Sequence, residues 1–149
     1  MTDRAPLAEG RSRREQIFSL FLEQTLQRGT PYWWRPRGLS MSPTILDGER
    51  VLIAPVDPRD LGIGDVVKFR LGDRLTLHRL IGRHHRSDGA LQFAFRGDNA
   101  TQTEILTGSS GIIGRAIAVE RRGVLVTLCS RGARFRGLAR VGRSFLARS

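Results

Sequence analysis

Between Val51 and Leu128 the chain breaks into short runs rich in β-branched and aromatic residues, each closed by a glycine-bearing turn signal. That rhythm constrains the fold more than any other feature. Val51 to Ala54, Asp65 to Arg70, Leu75 to Ile81, Leu91 to Phe95, Ile112 to Glu120 and Val124 to Leu128 read as strands. Leu71-Gly72-Asp73-Arg74, Ser87-Asp88-Gly89 and Arg121-Arg122-Gly123 read as the connections, with Arg83 to Gly89 taken as one hairpin loop that holds His84 and His85 in solvent. Strands this short and frequent predict a mostly β fold, a small antiparallel barrel-type domain.

The ends of the chain carry a different periodicity. Met1 to Arg13 is polar and is expected to be mobile. Ile17, Phe18, Phe21, Leu22 and Leu26 then share one helical face, and Gly29-Thr30-Pro31 ends that helix. At the other end Phe135, Leu138, Ala139, Gly142, Phe145 and Leu146 recur at helical spacing with Arg136, Arg140 and Arg143 between them. The expected division is therefore a mobile N-terminus and amphipathic helix over 1–30, a β domain over 31–128 and a basic amphipathic tail over 129–149. Tyr32-Trp33-Trp34 opens the β domain and is expected to pack mainly in its core, with the wall of a groove as the alternative.

Charge and cysteine content narrow the classes further. The formal net charge is +11, and from Arg121 to Ser149 there are eight arginines and no acidic residue. A basic amphipathic helix can lie on an anionic membrane surface or pack on its own domain. Nucleic acid is the weaker partner, since the tail has two phenylalanines and no binding motif. No run reaches the 18 or so apolar residues of a spanning helix, and no secretory signal is evident. The expected location is cytoplasmic or peripheral on a membrane. Cys129 is the single cysteine, so no intramolecular disulfide forms. No zinc-ligand spacing occurs, and neither metal nor cofactor is expected.

Chemistry is concentrated in three segments: Ser40-Met41-Ser42-Pro43-Thr44, Leu77-His78-Arg79-Leu80-Ile81-Gly82 and Arg96-Gly97-Asp98-Asn99. A serine hydroxyl becomes a useful nucleophile only beside a base that takes its proton, and neutral imidazole suits that task near pH 7. A carboxylate on the other ring nitrogen would fix the tautomer. With Asp47-Gly48 and Gly64-Asp65-Val66-Val67, these segments resemble the signal peptidase I family, which is related to the self-cleaving LexA-type repressor domains. The resemblance runs from about Arg37 to Arg121. It implies a serine endopeptidase that cuts an extended peptide, such as a leader peptide, after a small residue. Most bacterial members carry lysine as the base; this chain resembles the branch with histidine there, which makes Ser40 the nucleophile and His78 the base.

Two acids compete for the third role. Asp98 matches the family's Gly-Asp-Asn motif, whereas Glu104 stands where the histidine branch usually has an aspartate; Asp98, the unaltered match, ranks slightly higher. Gly38, Leu39 and Met41 are expected to contact substrate. Gly38 also replaces a serine that many members use for the oxyanion, which leaves backbone N–H groups around Ser40. Ser42 reads as a helix N-cap and Pro43 as the first helical residue. Lys68, the single lysine, is the alternative base. Two other functions compete: a non-catalytic peptide-binding relative, and a LexA-like regulator. The second calls for an upstream DNA-binding domain, a lysine base and an Ala-Gly or Cys-Gly bond, and neither dipeptide occurs.

Overall fold

Eight strands form one antiparallel sheet in a computed structural model that describes Arg13 and residues 29–128. They are β1 (Tyr32–Trp34), β2 (Arg50–Ala54), β3 (Val66–Leu71), β4 (Arg74–His85), β5 (Leu91–Arg96), β6 (Glu104–Thr107), β7 (Ile112–Arg121) and β8 (Val124–Thr127). The helix expected over 14–27 and the basic helix expected after 128 lie outside the described residues. No helix among the described residues is long and apolar enough to cross a membrane.

The six expected strands are all present. β4 is longer than its apolar run, continuing through His84 and His85, which pair with Gln92 and Leu91. Cross-strand backbone bonding here extends the strand where side-chain pattern alone ends it, although both histidines are exposed as expected. β1 and β6 are additional, and both are edge strands with too few residues to show an alternating pattern.

The sheet does not close into the expected barrel. Its order is β1-β2-β7-β3-β4-β5-β6, with β8 paired to β7, so β1 and β6 remain as open ends. β7 organises the centre by pairing β3 through Ile112–Arg115, β2 through Arg115–Glu120 and β8 through Ala118–Arg121. Strand alternation then gives the sheet two apolar faces. Val66, Leu77, Ile53, Val51 and Val119 join Met41 and Ile45 in one cluster, while Val67, Phe69, Leu80, Phe93 and Phe95 form a second. Each fully buried aromatic or branched side chain stabilises by about 1.5–3 kcal/mol relative to exposure, which makes these two clusters the support for everything built on β3 and β4.

Candidate active site

Residues 40–44 leave the extended conformation in consecutive turns rather than the expected helix start. Ser42 N–H donates to Leu39 O (3.1 Å) and Ile45 N–H to Met41 O (3.0 Å), but no further turn propagates before Asp47-Gly48 turns the chain again. Met41 and Ile45 are pulled into the first apolar cluster, and this anchors the loop on either side of Ser42. A second anchor comes from the Gly97-Asp98-Asn99 segment. Asn99 N–H donates to Ser40 O (2.8 Å) and its side-chain amide to Leu39 O (3.2 Å). A Cβ at position 97 would lie 2.5 Å from Ser40 O and 3.1 Å from His78 Cδ2. Only glycine allows this approach, so Gly97 sets the loop's height over the imidazole.

His78 projects from β4 on the face opposite Leu77, where it meets the edge of Phe69 (ring centroids 6.3 Å apart). Phe69 is itself stacked on Phe95 at 4.1 Å. The ring is therefore backed by apolar surface and reaches outward with both nitrogens. Ser40 Oγ–H donates to His78 Nε2 (3.1 Å), and His78 Nδ1–H donates to Glu104 Oε2 (2.8 Å). An ionised carboxylate only accepts, so the Nδ1 proton belongs on the Glu104 side and the Nε2 lone pair faces the hydroxyl. Hydroxyl, imidazole and carboxylate stand in one continuous line.

Asp98 does not occupy the third position, contrary to the ranking drawn from its motif. Its Oδ1 accepts from Arg79 Nε and its Oδ2 from Arg79 Nη2, both at 2.7 Å, and Thr44 Oγ1–H also donates to Oδ2. Arg79 Nη1 completes the network on Gly64 O (2.7 Å). Adjacent strand residues point to opposite faces, so Arg79 carries Asp98 away from the face on which His78 meets Glu104. The sequence held a signal for this: an arginine inside an apolar strand needs a buried carboxylate, because an isolated buried charge is prohibitive.

The remaining expected site residues divide. Gly38 and Met41 line a cleft of about 510 Å³ together with Ser40 and His78. Leu39 does not line it; the residue is 67% exposed and its carbonyl serves the two loop contacts above. Gly38 adopts φ +96°, a conformation that favours glycine, and donates its N–H to Asp47 Oδ1 (2.9 Å). Lys68 makes no hydrogen bond to Ser40. Its Nζ donates to Tyr32 Oη (3.1 Å) and sits over the Trp34 ring, 4.1 Å from the centroid. The tryptophan segment is correspondingly less buried than expected: Tyr32 and Trp33 are exposed, and Trp34 packs on the core and lines the cleft. Sequence reasoning gave no role to Arg74, which meets Glu104, or to Thr44, Arg79 and Asn99, which support the Asp98 segment and the Ser40 loop.

Burial holds the His78 imidazole below its ordinary value, outweighing the opposing pull of the Glu104 charge and hydrogen bond; Arg74 lowers it further and Asp98 raises it. That direction favours the neutral ring, the form able to accept a proton. An NMR titration of the His78 ring is expected to give a midpoint below about 6.5. Glu104→Gln should lower the midpoint again, since it removes an anion that favours imidazolium. A midpoint that rises or stays put would assign the dominant charge to another group.

No protein-family model matches the sequence, and no curated protein matches it.

Proposed function

We propose that this chain is a serine endopeptidase of the signal peptidase type, with Ser40 as nucleophile, His78 as general base and Glu104 as the carboxylate that orients it. The single observation that carries the reading is the line from Ser40 Oγ through His78 to Glu104, opening into a cleft large enough for a peptide. The motif resemblance of residues 37–121 to the signal peptidase I family supports the same conclusion.

The cleft also has the backbone that peptide binding needs. Arg74 to His78 pair with β3 along one edge, whereas β5 pairs only from Arg79 onward, so among the described residues the other edge of 74–78 carries no strand. An extended peptide can add there as a strand and satisfy those backbone groups. Residues 34–38 line the same cleft, so the peptide would run between them and the β4 edge.

On attack, a bond forms between Ser40 Oγ and the scissile carbonyl carbon while the hydroxyl proton passes to His78 Nε2. Glu104 stabilises the resulting imidazolium through Nδ1–H. The Ser40 N–H has no acceptor among the described residues and is available to the oxyanion. Collapse breaks the C–N bond, His78 returns the proton to the leaving amine, and a water deprotonated by the same ring hydrolyses the acyl-serine. Cleavage after a small residue, and a leader peptide as the substrate, follow from the resemblance.

Peptides carrying an Ala-x-Ala sequence are expected to be cut after the second alanine, with the products sequenced by mass spectrometry. A panel left intact, or cut without regard to residue size, would overturn the reading.

A further inference from the structure

The two oxygens of Glu104 are divided between two donors. Oε2 faces His78 Nδ1 at 2.8 Å, and Oε1 accepts from Arg74 Nη2 at 2.6 Å. Among the described residues these are the only side chains that hold the carboxylate. Glu104 opens β6, a four-residue strand at the end of the sheet, and a glutamate has one more rotatable bond than an aspartate. Its backbone therefore fixes the carboxylate poorly. Arg74 opens β4 four residues before His78, so the two side chains leave the strand on the same face, roughly 13 Å apart along it, and the carboxylate bridges between them.

We propose that Arg74 is a positioning residue that pins Glu104 Oε1, so that Oε2 stays on the His78 ring when no substrate is bound. The idea rests on the peptidase reading above. The alternative use of this guanidinium is direct contact with substrate, because its side chain is 64% exposed and lines the cleft. The two uses differ in what they do to turnover. A pin on Glu104 acts on the proton relay and is felt in kcat; a substrate contact is felt in KM.

The test compares Arg74→Gln with Arg74→Lys. For the glutamine variant kcat on an Ala-x-Ala peptide should fall by about 10–10²-fold, the cost of a misplaced catalytic group, with KM held within about twofold. Lysine keeps one charged donor and should restore most of the loss. Independently of turnover, the downfield His78 Nδ1–H proton resonance should be visible in the parent and lysine chains and broadened by solvent exchange in the glutamine chain. An unchanged resonance in Arg74→Gln, or a rise in KM with kcat unaltered, would overturn the proposal. Should the parent chain show no Ser40-dependent turnover, the peptidase reading falls, while the resonance still decides whether Arg74 fixes Glu104.

Discussion

Replacing Ser40 or His78 with alanine is expected to lower kcat on an Ala-x-Ala peptide by about 10⁶, and replacing both should cost no more than either alone. The reason is the shape of the relay. The hydroxyl and ring are 3.1 Å apart and share one proton, so removing either member leaves the other with nothing to act on. Glu104→Gln should be milder, up to about 10⁴, because the amide can hold the ring in the wrong tautomer yet leaves nucleophile and base in place. Thermal unfolding of Glu104→Gln should stay close to the parent, since the Glu104–Arg74 pair has an exposed arginine and such pairs contribute about 0–1 kcal/mol. Additive losses in the double variant, measured by initial rates, would mean that Ser40 and His78 do not act as one unit.

How far the sequence carried this site depends on the residue. Ser40 and His78 were legible because each sits in a short patterned segment and the chemistry needs a nucleophile beside a base. The strands were legible through β-branched runs between glycine turns. Three features were not. β1 and β6 are too short for a period of two to appear. Whether the sheet closes depends on pairing between strands far apart in the chain, on which local pattern is silent. The choice between Asp98 and Glu104 turned on Arg79: alternation along the strand sets His78 and Arg79 on opposite faces, but local pattern does not say which face each acid reaches, so both were available to the imidazole. The burial of Arg79 was in fact the more informative clue, since an arginine between Leu77 and Leu80 can be accommodated only with a carboxylate of its own. Glu104, one methylene longer than the aspartate of the proteins this chain resembles, holds the His78 ring and carries Arg74 on its second oxygen.

Asp98→Ala is expected to act on stability where Glu104→Gln acts on rate, with a loss of about 3–5 kcal/mol. The Arg79 and Asp98 side chains are 1% and 0% exposed, and the pair is bidentate with a third bond from Thr44 and a fourth to Gly64 O. Deleting the carboxylate leaves a guanidinium in the interior with its Nε and Nη2 unsatisfied, a far larger penalty than the net worth of the intact pair. Against a typical domain stability of about 5–15 kcal/mol, that loss should lower Tm by tens of degrees. Arg79→Met combined with Asp98→Leu should recover much of it, because no charge is then stranded. Gly97 and Asn99, which flank the same residue, hold the Ser40 loop through their own contacts with Ser40 O and Leu39 O. Differential scanning calorimetry of the three chains checks the order. An Asp98→Ala chain that keeps its Tm and loses turnover would return Asp98 to the role its motif first suggested, as a member of the relay.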